Sequence, residues 1–120
     1  MLTIYIYQKC STCRDALKWL DARRINYQVK AIRETPPSPA ELAMALKGFG
    51  GDLRKIFNTS GMDYRALGLK DQLPMMTESQ AFEQLSKNGN LVKRPFLIGD
   101  DRVLVGFKPA DWDSAFNSIP

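Results

Sequence analysis

The chain opens with Leu2-Thr3-Ile4-Tyr5-Ile6-Tyr7-Gln8-Lys9-Cys10-Ser11-Thr12-Cys13. Its first six residues are mostly β-branched or aromatic, which predicts a strand. Apolar residues then return at helical spacing, at Cys13, Ala16, Leu17 and Leu20, with Asp15, Lys18, Asp21 and Arg24 between them. That pattern predicts an amphipathic helix from about Ser11 to Arg24. A second short strand follows from about Asn26 to Ile32. Strand, helix, strand within some thirty residues implies a parallel βαβ unit with a right-handed crossover.

The two cysteines fall at the junction of the first strand and the helix, Cys10 in the loop and Cys13 in the first turn. A helix N-terminus presents unpaired N–H groups and about half a unit of positive charge, which favours a thiolate. Lys9 and Arg14 flank the pair and push the same way. Such surroundings bring a cysteine pKa into the range of roughly 3.5–7.5. A spacing of three residues allows Cys10 to attack a sulfur and Cys13 to resolve the resulting mixed disulfide or sulfenic acid.

Further along, local chemistry predicts a helical insert over about residues 38–88. Ser38-Pro39-Ala40-Glu41 joins a Ser cap, a first-turn proline and a Glu three residues on, opening a helix to about Lys47 that Gly48 ends. Short helical pieces are expected around Asp52–Phe57 and Asp63–Leu67, the second stopped by Gly68. Thr77-Glu78-Ser79-Gln80 opens another helix, ending before Gly89. A proline-rich hinge, Glu34-Thr35-Pro36-Pro37, leads into the insert, which carries no strand signal. Strands return as Pro95–Ile98 and Arg102–Gly106 around a Gly99-Asp100-Asp101 turn, and Pro109 starts a last helix to about Phe116. The side chains of Trp19, Leu20, Trp112 and Phe116 are expected in the core, Met75-Met76 is expected to fill a gap under the insert, and Tyr64 and Arg65 are read as structural.

The order βαβ, helices, ββα is that of a thioredoxin-like, glutaredoxin-like α/β fold: one domain over residues 1–120, with a mixed four-stranded sheet flanked by helices. In such folds a cis-proline loop faces the cysteine pair. Arg94-Pro95 stands where that loop belongs, although trans is the default for an X-Pro bond. Arg94 would then aim a guanidinium fork at an anion or thiolate in the site.

Composition narrows the chemistry further. The chain has 120 residues, two cysteines and no histidine. Every Ser-His or Cys-His catalytic arrangement is thereby excluded, and a structural zinc site lacks its four ligands. No metal and no bound organic cofactor are expected. The net charge of +4 is unevenly placed, since residues 1–33 hold seven Lys/Arg against two Asp. Without a dense basic run or an aromatic platform, direct nucleic-acid binding is not expected. No apolar run approaches the ~18 residues of a membrane span, and the opening lacks the features of a signal peptide. The expectation is a cytoplasmic protein with no membrane partner.

Taken with Phe57-Asn58-Thr59-Ser60-Gly61, Tyr64-Arg65-Ala66-Leu67-Gly68-Leu69, Lys93-Arg94-Pro95 and Val105-Gly106-Phe107, these motifs resemble the arsenate-reductase-like (ArsC) branch of the thioredoxin superfamily. That branch contains the Spx and MgsR regulators. The resemblance implies an oxidoreductase acting on a thiol or disulfide substrate, with glutathione as co-substrate together with glutaredoxin, or with thioredoxin. In arsenate reductases of the family, a cysteine at the position of Cys10 attacks arsenate and three arginines bind the oxyanion. Arg94 matches one of them, Asn58 replaces a second, and the third falls at or near Gly106, with Lys108 close by. Those enzymes also lack a cysteine at the position of Cys13. The resemblance therefore implies an anion site made of Arg94, Asn58, Lys9 and Arg14, with arsenate turned over inefficiently. The cysteine pair matches the Spx side, which implies an alternative: a redox switch that binds the RNA polymerase α subunit. The chain is shorter at its C-terminus than Spx.

Overall fold

The computed structural model describes residues 1–117. Four strands, β1 (Leu2–Ile6), β2 (Tyr27–Ala31), β3 (Phe96–Gly99) and β4 (Arg102–Val105), form one sheet in the order β2-β1-β3-β4. β1 runs parallel to β2 and antiparallel to β3, and β3 runs antiparallel to β4. The sheet is therefore mixed, as the sequence predicts.

β1 is central, and its alternation divides the core into two layers. Leu2, Ile4 and Ile6 join Leu97 on one face, where α1 (Ser11–Ala22) contributes Cys13, Ala16, Trp19 and Leu20. The last helix, α6 (Pro109–Asn117), closes this layer with Trp112. The Trp112 indole N–H donates to the Gly106 carbonyl at 3.1 Å, and its ring meets Trp19 edge-on at 5.6 Å. On the other face Tyr5, Phe96 and Ile98 carry the insert, which supplies Leu42, Ile56, Phe57, Leu69 and Leu85, with Val92 of the segment before β3 packed among them.

The insert is built from α2 (Pro39–Gly48), α3 (Met62–Ala66), α4 (Leu69–Gln72) and α5 (Glu78–Lys87), joined by short 3₁₀ turns. Both predicted capping boxes form: Ser38 with Glu41, and Thr77 with Gln80. Glu41 has a second task, accepting the Tyr5 hydroxyl at 2.7 Å. Burial and this carboxylate raise the Tyr5 phenol well above its usual range.

Several details depart from expectation. α1 stops at Ala22, two residues early, because the chain turns through Arg24 in a left-handed conformation (φ 57°). Gly48 is still helical, and the break comes at Gly50 and Gly51, both at positive φ. The piece expected over Asp52–Phe57 shrinks to a 3₁₀ turn, Leu53–Lys55, capped by Asp52. Phe57 instead forms an antiparallel bridge with Val92, so the insert does carry one β contact. The helix stopped by Gly68 is as read, with Gly68 left-handed, but α4 follows it at once and had no signal of its own. The methionine pair divides: Met76 packs against the core, whereas Met75 is 85% exposed. Pro74 puts the two on opposite sides of a 3₁₀ turn's end, and only one can face inward.

Candidate active site

Cys10 is the N-cap of α1. Its backbone is extended (φ −93°, ψ 114°), and its Sγ accepts the Cys13 backbone N–H at 3.3 Å. The cap is held from both sides, since the Cys10 N–H donates to the Tyr7 carbonyl at 3.0 Å and the Arg14 N–H donates to the Cys10 carbonyl at 3.1 Å. A sulfur in this place takes the role usually filled by a Ser or Asp oxygen. Negative charge on it is favoured by the helix end it caps.

The two sulfurs differ sharply in environment. Both are free thiols, with Cys10 half-buried and Cys13 fully buried. Burial pushes Cys10 up, but hydrogen bonding from the Cys13 side chain and backbone and the Arg94 guanidinium outweigh it, leaving Cys10 below the ordinary thiol range. Burial pushes Cys13 the other way, up to about 12, and the neighbouring Cys10 adds to this. The Tyr7 backbone and Arg94 oppose the rise without reversing it. One cysteine is thus disposed to be a thiolate and the other to keep its proton.

Arg94 reaches this site from the far end of the sequence. The Arg94-Pro95 peptide bond is cis and lies directly before β3, which pairs with β1 and so sets the loop against the start of α1. The Arg94 guanidinium carbon sits 5.0 Å from the centroid of the Tyr7 ring. Arg33, just beyond β2, stacks on the same ring at 4.9 Å. Tyr7 therefore gathers two guanidinium groups beside the cysteine loop. Neither Tyr7 nor Arg33 stands out in the sequence as a site residue, because nothing local announces a contact between positions so far apart in the chain.

The remaining expected residues are less engaged. Lys9 and Arg14 are exposed, and the charge that lowers Cys10 comes from Arg94. Asn58 is half-buried and donates weakly through its amide to the Asn90 carbonyl at 3.5 Å, while its backbone N–H bonds the Leu91 carbonyl at 2.7 Å. It is tied into the loop that precedes Lys93. Gly106 is buried at φ 74°, and a Cβ built there would lie 3.0 Å from Lys93 Cε. The Lys93 stem fills the space a side chain at 106 would need. Lys108 is exposed. Among the described residues there is no cluster of three or more His, Cys, Asp or Glu side chains able to hold a metal, and no helix long and apolar enough to cross a membrane.

Known proteins resemble this chain in sequence and in overall fold. The ArsC family model covers residues 5–115. The protein YusI of Bacillus subtilis is 47% identical over 107 residues, spanning 89% of this chain and 91% of YusI. The global transcriptional regulator Spx of Listeria innocua is 32% identical over 108 residues, 89% of this chain and 80% of Spx. Among solved structures, that of a possible arsenate reductase from Streptococcus mutans UA159 superposes with a TM-score of 0.86 at 40% identity, covering 94% of this chain and 98% of that one. With its mixed sheet, capping cysteine and cis-proline loop, the chain has the thioredoxin-like fold and belongs to the ArsC family.

Proposed function

We propose that this chain is a thiol-disulfide oxidoreductase in which Cys10 attacks and Cys13 resolves. The observation that carries the reading is the N-cap position of Cys10, with its sulfur held by the Cys13 N–H at 3.3 Å. A half-exposed, lowered thiol is the nucleophile of such exchange, and a buried, raised thiol is protected from competing reactions.

The Cys10 thiolate bonds to one sulfur of a substrate disulfide, and the other substrate sulfur leaves as a thiolate. Forming that mixed disulfide removes the charge on Cys10, and with it one of the causes that raise Cys13. Cys13 then gives up its proton and attacks Cys10 Sγ, releasing the second substrate thiolate. The substrate gains two electrons, and the protein is left as the Cys10–Cys13 disulfide. A thiol donor, glutathione with glutaredoxin or thioredoxin, returns two electrons and completes the cycle in the cytoplasm. Arg94 stabilises the thiolate, while Lys9, Arg14 and Asn58 form the rim met by an anionic substrate.

The test uses Cys13→Ser with a mixed pool of protein and low-molecular-weight disulfides. A long-lived adduct on Cys10, seen by intact mass and released by dithiothreitol, is expected. If no adduct forms, the resolving role is lost. Arsenate is a poor substrate in this reading, because Asn58 and Gly106 stand where the resemblance places two arginines. Each missing charge-assisted contact is worth roughly 1.5–3 kcal/mol. Turnover of arsenate with glutathione and glutaredoxin at ordinary enzymatic rates would contradict this.

A second reading rests on the Spx relative. A cysteine pair that changes state could switch binding to the RNA polymerase α subunit. Purified α subunit retained by only one redox form would favour it, and retention by neither would remove it.

A further inference from the structure

A second concentration of charge gathers where the insert meets the segment before β3, at a cavity that neither cysteine lines. A cavity of about 420 Å³ is lined by Arg54, Lys55, Lys70 and Lys93, together with Asp52, Thr59 and Tyr64. Four cations thus meet one carboxylate. Asp52 is already committed, since its side chain caps the Arg54 N–H at 3.1 Å and lies 3.9 Å from Arg54 Nε. Among the described residues, Lys55, Lys70 and Lys93 make no ion pair.

These groups come from separate parts of the chain that the fold forces together. Lys55 ends the turn capped by Asp52, with its N–H on the Asp52 carbonyl. Lys70 is fixed by α4, whose neighbouring Leu69 is wholly buried. Lys93 is pinned at both ends: its N–H donates to the Ile56 carbonyl at 2.9 Å, and its stem lies over Gly106. Tyr64 packs its ring on Phe57 at 6.2 Å, and among the described residues its hydroxyl makes no hydrogen bond. Like charges held around one hollow repel unless an anion sits among them.

We propose that this cavity binds a small phosphate-type oxyanion, as inorganic phosphate or the phosphate of a small metabolite. Ammonium groups act as point charges that suit a tetrahedral, multiply charged anion. The Thr59 and Tyr64 hydroxyls supply neutral donors for oxygens the lysines leave free. Lys93 directly precedes Arg94 in the chain, but neither cysteine nor Arg94 lines the cavity. The proposal does not depend on the thiol chemistry.

The test is a titration of ¹⁵N-labelled full chain with phosphate, pyrophosphate and citrate, followed by calorimetry at two KCl concentrations. Saturable shifts at Lys55, Thr59, Tyr64 and Lys70 are expected, with pyrophosphate tighter than phosphate and both weaker in high salt. Lys70→Gln and Lys55→Gln should each weaken pyrophosphate ~10-fold, the loss of one charge-assisted contact. Lys18→Gln, an exposed change on α1, should leave it unchanged, and so should Cys10→Ser. Shifts centred on Cys10 and Arg94, equal affinity for citrate, or insensitivity to both lysine changes would each overturn the proposal. The wild-type Tm with and without pyrophosphate gives a second readout, and the absence of any rise at saturating ligand would also count against it.

Discussion

At the scale of single residues, the reactive sulfur owes its state to contacts of very different range. Its place at the start of a helix is readable from Cys10-Ser11-Thr12-Cys13, because capping is decided within one turn. Its cationic partner is not readable that way. Lys9 and Arg14 are neighbours in sequence yet remain exposed, whereas Arg94 arrives through β3 and rests on Tyr7. Arg94→Leu should therefore raise the Cys10 pKa, and Tyr7→Leu should raise it less by freeing the guanidinium. Thiolate absorbance against pH checks both, and iodoacetamide labelling at pH 7 should slow several-fold in Arg94→Leu. An unchanged titration in Arg94→Leu would mean that the helix end alone makes the thiolate. The two thiols also affect stability with opposite signs. Cys10 is lowered on folding, so its contribution is present above the unfolded thiol pKa and fades as pH falls through the folded one. Cys13 is raised to about 12, so its contribution is full below the unfolded value of about 8.5 and is lost as pH climbs toward 12. Reduced wild-type protein should accordingly lose more stability between pH 8 and 10 than Cys13→Ala does, by urea denaturation. Equal losses would show that the buried thiol does not titrate as placed.

At the scale of elements, boundaries set by local chemistry are the ones the sequence discloses. Ser38 with Glu41 and Thr77 with Gln80 are closed three-residue circuits, and both form as read. Ser38→Ala or Thr77→Ala should each cost about 1 kcal/mol, measurable as a small drop in denaturation midpoint at constant slope. Other features depend on what lies across the fold. Gly89 looks like a simple helix stop after Lys87. In the structure a Cβ there would stand 1.8 Å from the Ile32 carbonyl oxygen, so the glycine is required where the end of α5 meets the end of β2. Gly89→Ala should destabilise by roughly 1–3 kcal/mol or more, since the backbone rather than a side chain must move. Stability within 0.5 kcal/mol of wild type, an ordinary surface value, would show that the contact relaxes freely. Met75 teaches the converse: in Pro74-Met75-Met76 no periodicity tells which methionine turns inward.

At the scale of the whole molecule, the question is whether the insert is an addition or part of the same cooperative unit. The sheet answers through its central strand. Tyr5 faces the insert while Ile4 and Ile6 face α1, so consecutive residues of β1 support opposite layers. Ile32, at the exit of β2, belongs to the insert's layer, and its N–H bonds the Ile6 carbonyl at 2.9 Å. Loss of either layer exposes one face of a strand whose residues alternate between them. The site depends on both, because Cys10 starts a helix on one face while Lys93-Arg94 is tied to Ile56 of the insert on the other. Leu85→Ala in the insert and Leu20→Ala in α1 each remove a fully buried side chain, and each should cost about 2–5 kcal/mol. Both should move one shared transition, seen alike by tryptophan fluorescence, which reports Trp19 and Trp112 beside α1 and α6, and by far-ultraviolet circular dichroism, which is weighted to the insert helices. A Leu85→Ala protein whose helical signal melts before its tryptophan signal would separate the insert from the sheet. Arg94 would then lose its anchor before Cys10 lost its helix, and labelling of Cys10 would slow across that first transition.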